Sequence, residues 1–209
     1  METEIKLSPV EAAVASQVFA DELLRPHLGD VRRSDMESTY YIDKYGILGK
    51  MKAGLRLRLE NGEGVCCLKV SRRTEGSAKV REEYEVPAET IADGVVRLCA
   101  LEALPDELRV VLEGAELAPV CGCSFTRTEA DYDDGCLRFV LSYDIGEYIK
   151  GDLRAPLGEI EMELKAGSVE DLNALCDRLR AKYSLPVGLH GKYTTAMRLD
   201  RTETEGAGA

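Results

Sequence analysis

The sequence is poor in the residues that bind transition metals. It has two histidines, His27 and His190, and its seven cysteines include no CxxC pair and no cluster with histidine at zinc-ligand spacing. These gaps exclude a zinc finger and a histidine-based metal centre. An odd number of cysteines also argues against a disulfide framework, so we expect reduced cysteines that act as small apolar side chains.

Long apolar runs and an excess of basic residues are missing as well. No run approaches the roughly 18 to 20 apolar residues of a membrane span, and Met1 leads into Glu2 and Glu4 instead of a basic and then apolar leader. Lys and Arg number 27 against 38 Asp and Glu, a net charge of −11, which argues against nucleic acid and anionic membranes as partners. We therefore predict a cytoplasmic protein in which an anionic ligand must meet a local basic site.

What the sequence does contain is alternation of polar and apolar residues with a period of two, the pattern of half-buried strands. Turn residues at 61–64 and 133–135 join two pairs of these segments into hairpins. The alternation predicts eight strands, at residues 1–7, 39–43, 55–60, 65–70, 80–86, 121–130, 136–145 and 159–165.

Helical patterns lie between the predicted strands. Ser8, Pro9 and Glu11 stand where an N-cap, a first-turn proline and a third-position glutamate are favoured. The patterns predict a helix from this cap to about residue 24, two short helices within 88–117, and a helix that opens at 168 and ends before Pro186.

The polar faces of the predicted strands carry mostly charged side chains, whereas neutral polar residues are nearly absent. This pattern fits two arrangements: a half-buried sheet whose charges are solvated, or a closed sheet whose charges line its interior. The closed sheet is favoured because the helices need an apolar outer surface to cover and because carboxylates form E-x-E pairs near both ends of the chain. These faces carry Glu2, Glu4, Lys6, Arg56, Arg58, Arg81, Glu83, Glu85, Arg138, Ser142, Asp144, Glu159, Glu161, Glu163 and Lys165.

An interior lined with both signs of charge needs ions that pair with it, because an unpaired buried ion costs several kcal/mol. Clustered carboxylates without His or Cys partners suit Mg²⁺ or Mn²⁺, and Arg and Lys suit phosphate oxygens. The residue types therefore predict metal-assisted phosphoryl chemistry on a compact polyphosphate.

Nine short motifs occur in a fixed order along the chain. They are Glu2-Thr3-Glu4-Ile5-Lys6, Tyr40-Tyr41-Ile42-Asp43, Leu55-Arg56-Leu57-Arg58, Leu68-Lys69, Arg81-Glu82-Glu83-Tyr84-Glu85, Arg127, Asp144, Gly158-Glu159-Ile160-Glu161 and Gly191-Lys192-Tyr193. In type and order these motifs resemble the CYTH family, the triphosphate tunnel metalloenzymes that include class IV adenylate cyclases, thiamine triphosphatases and inorganic triphosphatases.

The resemblance implies a mainly β (α+β) fold, an eight-stranded antiparallel closed tunnel barrel with helices packed outside. We expect this domain to cover residues 1–200, with a disordered C-terminal tail at 201–209. The resemblance also implies Mg²⁺ or Mn²⁺ held by Glu2, Glu4, Asp144, Glu159 and Glu161.

By the same resemblance, substrate is bound by Lys6, Arg56, Arg58, Lys69, Glu83, Glu85, Arg127 and Lys192, and the catalytic residues are Glu4, Glu161 and Lys192. Arg127 shares strand parity with Cys123 and Phe125, which would face the interior beside it unless a bulge intervenes. Four charged residues fit either a role in the site or a role as ion-pair partners: Arg81, Arg138, Glu163 and Lys165.

The expected function is hydrolysis of a small triphosphate, with inorganic triphosphate favoured, by a monomer or homodimer. A class IV adenylate cyclase or a thiamine or nucleoside triphosphatase would keep the same metal site. The family's cyclases carry a His-Phe motif before E-x-E-x-K, whereas this sequence opens with Met1 and Glu2, so we expect hydrolysis. A non-catalytic polyphosphate-binding module is the alternative of another class.

Overall fold

The computed structural model describes residues 1–200, and the tail predicted at 201–209 lies outside the described residues. The strands are β1 (Glu2–Leu7), β2 (Arg32–Asp43), β3 (Ala53–Glu60), β4 (Glu63–Glu75), β5 (Ala78–Pro87), β6 (Leu117–Asp133), β7 (Arg138–Lys150) and β8 (Leu153–Ala166). They pair antiparallel and close into a barrel in the order β1-β5-β4-β3-β2-β6-β7-β8. The predicted closed eight-stranded barrel is confirmed.

Six α-helices connect or follow these strands within residues 1–200. They are α1 (Ala12–Phe19), α2 (Ile47–Lys50), α3 (Ile91–Cys99), α4 (Asp106–Glu113), α5 (Val169–Tyr183) and α6 (Lys192–Met197). None of them is long and apolar enough to cross a membrane.

Both predicted hairpins are present. Asn61 and Gly62 join β3 to β4 with φ of 50° and 88°, the left-handed conformations that a tight hairpin turn requires. Between β6 and β7, the carboxylate of Asp134 accepts hydrogen bonds from the backbone N–H groups of Cys136 and Leu137, at 2.9 and 2.7 Å. These turns set the pairing register of the strands that follow.

Two apolar cores lie between the barrel and its outer helices. One packs α1 and α5 against β1, β7 and β8, with Ile5, Leu141 and Ile160 fully buried. The other packs α3 and α4 against β3, β4 and β5 around residues such as Leu55 and Leu68. Each fully buried side chain of this kind contributes about 1.5–3 kcal/mol. Because the apolar faces point outward to the helices, the alternate charged faces point into the barrel.

A third apolar cluster fills part of the barrel interior, where the sequence predicted mainly charge. We call it the inner core: Met36, Tyr40, Cys121, Cys123, Phe125, Tyr148 and Leu157 of the strands with Ala196 and Leu199 of the C-terminal segment. Between Cys123 and Arg127 the pairing of β6 with β2 and β7 has no register shift. Cys123, Phe125 and Arg127 therefore share the inner face, as their parity predicted.

The N-terminal helix differs from the prediction at both ends. It begins at Ala12, with Glu11 as an N-cap that makes no side-chain hydrogen bond, and it ends at Phe19. The predicted cap at Ser8 is wrong, because the backbone before the helix stays paired with other parts of the fold. The N–H of Ser8 donates to the Pro186 carbonyl at 3.1 Å, and that of Val10 to the Gly158 carbonyl at 2.9 Å.

All seven cysteines lie within the described residues and none forms a disulfide. Five of them are buried, as expected for small apolar side chains, whereas Cys136 is exposed and Cys99 is half-buried. The absence of disulfides agrees with the sequence prediction.

Candidate metal and phosphate site

The barrel encloses a cavity of ≈ 870 Å³, which most of the predicted site residues line, whereas Asp144 and Glu159 are buried behind its wall. Basic side chains outnumber acidic ones along its wall, although the chain as a whole carries a net charge of −11. The cavity is therefore a local basic site of the kind an anionic ligand needs. Its wall includes Glu2, Glu4, Lys6, Arg56, Arg58, Lys69, Glu83, Glu85, Arg127, Glu161 and Lys192.

Asp144, Glu159 and Glu161 form the most buried acidic group of the site, which we call the carboxylate cluster. Asp144 on β7 and Glu159 on β8 are cross-strand neighbours, 0% and 1% exposed. One carboxylate oxygen from each of the three residues lies within 4.8 Å of the others. Such a close group of anions is unstable unless cations neutralise it.

Three cationic side chains neutralise the carboxylate cluster. Nζ of Lys192 lies 2.7, 2.8 and 2.9 Å from oxygens of Asp144, Glu159 and Glu161. Nζ of Lys6 lies 2.7 Å from Glu159 and 2.8 Å from Glu161. Arg127 donates two hydrogen bonds of 2.7 Å to the two oxygens of Asp144 and a third of 2.7 Å to Glu161, the bidentate geometry typical of a strong guanidinium–carboxylate pair.

The charged state of this cluster is set by its own ion pairs. Burial alone would raise the pKa of Glu161, but Lys192, Lys6 and Arg127 outweigh it and hold that pKa well below its usual range. Burial likewise opposes the charge of Lys192, but the three carboxylates raise the pKa of its ammonium group well above normal. At neutral pH Glu161 is ionised and Lys192 is protonated.

The donor set of the carboxylate cluster fits a hard divalent cation. Its three residues offer only carboxylate oxygens, the ligands that Mg²⁺ and Mn²⁺ prefer. The surrounding lysines and Arg127 supply the positive charge that such a cation would also supply. The residues that could hold Mg²⁺ or Mn²⁺ are therefore Asp144, Glu159 and Glu161.

A second charged region lies on β3, β4 and β5, and we call it the arginine wall: Arg56, Arg58, Lys69, Arg81, Glu83 and Glu85. Glu2 and Glu4 of β1 face this wall. Lys69 Nζ lies 2.9 Å from Glu2 and 3.0 Å from Glu83, and Arg81 forms an ion pair with Glu4. In this structure Glu2 and Glu4 thus contact cations of the wall, while Lys6 of the same strand contacts the carboxylate cluster.

Some buried nitrogen atoms of the arginine wall have no hydrogen-bond partner among the described residues. These atoms are Nε and one terminal nitrogen of Arg56, and Nε of Arg58. The nearest carboxylates are that of Glu85, 3.7 Å from Arg56, and that of Glu60, 3.6 Å from Arg58. Unsatisfied guanidinium N–H groups in a cavity are suited to the oxygens of an anionic ligand.

Acidic side chains near the wall have pKa values shifted in opposite directions. Burial, with Glu4 and Glu83 nearby, raises the pKa of Glu2 to about 7 despite the attraction of Lys69. Burial also opposes the charge of Glu83, but Lys69 and the Cys67 thiol that donates to it lower that pKa to about 2. Burial and the charge of Glu83 also raise the pKa of Glu85, so the protonated forms of Glu2 and Glu85 are favoured and that of Glu83 is not.

The four residues left open by the sequence divide into two groups. Arg81, Glu163 and Lys165 line the cavity, and the last two pair with each other. Arg138 does not line it: its side chain is 62% exposed and its Nε lies 3.4 Å from Asp133. Arg138 is an outer ion-pair partner because it stands at the turn where β7 begins, beside a register shift between Arg138 and Phe139.

Asp43, part of the Tyr40–Asp43 motif, also lies outside the cavity wall. Its carboxylate accepts hydrogen bonds from the backbone N–H groups of Ile47 and Leu48, both at 2.8 Å. Its role is to satisfy the first turn of α2.

Sequence reasoning missed Tyr148 beside the carboxylate cluster, and it placed Phe125 on the inner face without giving it a role. Tyr148 donates a hydrogen bond to Glu159, and Phe125 lies under the ammonium group of Lys192, 5.2 Å from its ring centroid. The strand predicted at 136–145 ended too early to include Tyr148, although Tyr148 has the same parity as Asp144.

Comparison with known proteins gives the same family as the motifs. Residues 1–188 match the sequence pattern of the CYTH domain. The chain belongs to the CYTH family. An inorganic triphosphatase from Haemophilus influenzae is 29% identical to this CYTH protein over 176 residues, which are 82% of this chain and 47% of that protein. The chain thus spans about half the length of this curated relative.

Solved structures show the same barrel fold as this CYTH protein. The HpAC1 protein from Hippeastrum, described as having a dominant triphosphatase activity, matches with a TM-score of 0.62 and 18% identity over 98% of this chain and 100% of its own. A protein from Pyrococcus horikoshii OT3 matches with a TM-score of 0.57 and 17% identity, over 92% and 96%. At these identities the similarity concerns the fold.

Proposed function

We propose that this CYTH protein hydrolyses a small triphosphate with the help of Mg²⁺ or Mn²⁺, and that inorganic triphosphate is its preferred substrate. The observation that carries the proposal is that two unlike regions meet at one cavity: a carboxylate cluster with a metal-type donor set, which reaches the cavity through Glu161, and an arginine wall with unsatisfied N–H groups. The named activities of the Haemophilus influenzae and Hippeastrum relatives support it.

In this proposal the arginine wall binds the phosphate chain. Arg56 and Arg58 donate their unpaired N–H groups to phosphate oxygens, and Lys69 adds a further positive charge. Each charge-assisted hydrogen bond of this kind contributes about 1.5–3 kcal/mol. Arg127 and Lys6, which lie between the carboxylate cluster and the cavity, complete the cationic surface along which the chain lies.

The carboxylate cluster supplies the other half of the reaction. Asp144, Glu159 and Glu161 would hold a Mg²⁺ or Mn²⁺ ion, which would neutralise phosphate oxygens and lower the pKa of a bound water. Glu161 and Glu159 stay ionised, as metal ligands must, because their pKa values are lowered by Lys192 and Lys6 despite burial. Lys192 cannot act as a base, because its pKa is raised, so its role is to add positive charge where the phosphoryl group carries negative charge.

The preference for inorganic triphosphate follows from where the binding groups lie. The cationic groups that line the cavity recognise phosphate oxygens, whereas a nucleoside requires matching hydrogen-bond partners for its base. Binding energy that is not used in the transition state does not raise the rate. We therefore expect inorganic triphosphate to exceed ATP and thiamine triphosphate in kcat/KM.

The test is a panel of inorganic triphosphate, ATP and thiamine triphosphate with Mg²⁺ or Mn²⁺, with products resolved by chromatography. Orthophosphate and pyrophosphate from inorganic triphosphate support the proposal. Cyclic AMP and pyrophosphate from ATP would favour a cyclase, and tight binding without any product would favour a polyphosphate-binding module.

A further inference from the structure

One buried tyrosine connects the inner core to the carboxylate cluster. Tyr148 lies on β7 beside Cys123 of β6 and Ala155 of β8, and is 4% exposed. Its ring belongs to the inner core, and its hydroxyl donates a hydrogen bond to Oε1 of Glu159. A residue that packs in an apolar cluster and donates to a single buried carboxylate can hold that carboxylate in one orientation.

The two oxygens of Glu159 have different kinds of partner. Oε2 lies 2.7 Å from the ammonium nitrogen of Lys6 and 2.8 Å from that of Lys192. Oε1 receives its hydrogen bond from the neutral phenol of Tyr148. A metal cation competes with ammonium groups for negative charge, but the phenol carries no charge to repel it, so its hydrogen bond is compatible with a cation at Glu159.

The phenol has a single hydroxyl proton, and Tyr148 donates it to Oε1 of Glu159 while its ring is fixed in the inner core. Because Oε1 takes this proton in a hydrogen bond, the direction in which Glu159 presents its other oxygen is restricted.

We propose that Tyr148 is a positioning residue that orients Glu159 for binding of a divalent cation. The inference rests on the proposed function in one respect, since it takes the carboxylate cluster as the metal site. Tyr148 needs no contact with the metal or with the triphosphate, because it acts through Glu159 and is itself held by the inner core. Removal of a hydrogen-bond partner of a metal ligand lowers metal affinity by about 10- to 100-fold.

The experiment compares wild-type protein with Tyr148→Phe in a Mn²⁺ titration without substrate, following the electron paramagnetic resonance signal of free Mn²⁺. We expect the Kd for Mn²⁺ to rise about 10-fold or more. In hydrolysis assays the Mg²⁺ concentration for half-maximal rate rises by a similar factor, while kcat at saturating Mg²⁺ changes much less. A variant that had only lost packing would not show a higher Mg²⁺ requirement together with a nearly unchanged kcat.

Tyr143→Phe is the matched control. Tyr143 also lies on β7, is 7% exposed, and donates its hydroxyl to a buried acceptor, the Val10 carbonyl oxygen at 3.2 Å. It belongs to the core that packs α1 and α5 against the barrel, on the face of β7 opposite the one that carries Asp144. Removal of its hydroxyl lowers the melting temperature but leaves the Kd for Mn²⁺ unchanged.

A double variant tests whether Tyr148 acts through Glu159. Tyr148→Phe added to Glu159→Gln should weaken Mn²⁺ binding no further than Glu159→Gln alone, because the group that Tyr148 orients has already been changed. A wild-type Kd in Tyr148→Phe, an equal loss in Tyr143→Phe, or additive losses in the double variant would each overturn the inference. So would a wild-type protein that does not bind Mn²⁺.

The experiments distinguish a failure of the proposed hydrolase activity from a failure of the proposed role of Tyr148. A wild-type protein that binds Mn²⁺ but releases no phosphate from any triphosphate contradicts the hydrolase, whereas the Mn²⁺ titrations still support or overturn the role of Tyr148.

Discussion

The arginine wall lines the cavity and the carboxylate cluster reaches it through Glu161, but the two regions differ in how completely partners within the protein satisfy their charged groups. Every carboxylate of the cluster has cationic partners at 2.7–2.9 Å from Lys6, Arg127 or Lys192. The arginine wall keeps buried nitrogens of Arg56 and Arg58 without hydrogen-bond partners among residues 1–200. One region is closed by its own ion pairs, and the other is open toward a ligand.

This difference separates the two steps that a triphosphatase needs. A closed cluster keeps its carboxylates ionised and close together, which is the condition for binding a small cation. An open wall leaves free donors for an anion whose length and orientation the protein does not fix in advance. Changes in the cluster should therefore affect turnover, and changes in the wall should affect substrate binding.

Removal of the metal gives the largest expected effect. A bound divalent cation would activate the attacking water, so we expect hydrolysis to fall to background in excess EDTA and to return on addition of Mg²⁺ or Mn²⁺. Phosphate release assays on metal-stripped protein measure this. Persistent release of phosphate from inorganic triphosphate under chelation would contradict the metal role of the cluster.

Loss of one charge in the cluster comes next. Glu161→Gln removes a carboxylate that contacts Lys6, Arg127 and Lys192, and we expect kcat to fall by about 100-fold or more. Glu4→Gln should act in the same direction if Glu4 is catalytic, as the family resemblance implies. Circular dichroism shows whether the fold is kept.

Glu163→Gln is the control for these variants. Glu163 lies on the same face of β8 but pairs with Lys165 at a position 33% exposed, so its loss should reduce the rate only slightly. The cluster would not be the centre of catalysis if Glu161→Gln were as active as Glu163→Gln.

Truncation in the arginine wall should change binding more than turnover. Arg56→Ala removes buried N–H donors that have no partner within the described part of the chain, and we expect KM for inorganic triphosphate to rise about 10- to 100-fold, equivalent to about 1.5–3 kcal/mol. Arg138→Ala, an exposed arginine outside the cavity, should leave KM unchanged. If Arg56→Ala lowered kcat and left KM constant, the assignment of substrate binding to the arginine wall and of turnover to the carboxylate cluster would be wrong.

Ligand binding to the open wall should also stabilise the protein. At roughly 100 times the dissociation constant, triphosphate raises the free energy of unfolding by about 2.7 kcal/mol. In EDTA, where turnover stops, the rise in melting temperature should be smaller in Arg56→Ala than in Arg138→Ala. An equal rise in both variants would mean that triphosphate binds elsewhere.

The sequence predicted which residues face the tunnel because strand periodicity is local. A period of two places Glu4 and Lys6 on the face opposite Ile5 whatever the rest of the chain does, and the apolar faces then require helices outside. The ion-pair partners of these residues cannot be predicted in this way, because they depend on how the helices and strands pack together. Lys192 reaches the cluster only because α6 packs on the inner core, a contact that no local pattern encodes.

Two errors in the predicted boundaries have the same origin. The predicted end of β7 at residue 145 was too early, because the strand continues through Gly146, which pairs with Phe125 of β6 and Leu157 of β8. Glycine permits this close approach, since a Cβ there would lie 2.1 Å from the Ser124 carbonyl oxygen. The cap predicted at Ser8 failed because Val10 pairs with Gly158. In both places the partner that decides the conformation is distant in sequence, so local propensity is overridden.

The smallest expected effect concerns pH, where the two regions should act in opposite directions on the metal-free protein. Near the wall, burial raises the pKa of Glu2 from 4.5 to about 7, so its contribution to stability is present at low pH and is lost as the pH rises through about 7. In the cluster, Lys192 and Lys6 outweigh burial and lower the pKa values of Glu159 and Glu161. Their contribution is present above the ordinary glutamate pKa and is lost as the pH falls below it.

Between pH 6 and pH 8 the Glu2 contribution should fall by on the order of 1–2 kcal/mol, because one pKa unit corresponds to about 1.4 kcal/mol and Glu2 shares its proton with charged neighbours. Calorimetry in EDTA should therefore show a melting temperature that falls by a few degrees over this interval. Glutamine resembles a protonated glutamate, so Glu2→Gln should have the melting temperature of the wild type at pH 6. Between pH 6 and pH 8 its melting temperature should fall much less than that of the wild type, whereas that of Glu163→Gln should fall as much. A fall of the same size in Glu2→Gln would show that the pH dependence in this interval arises from another group.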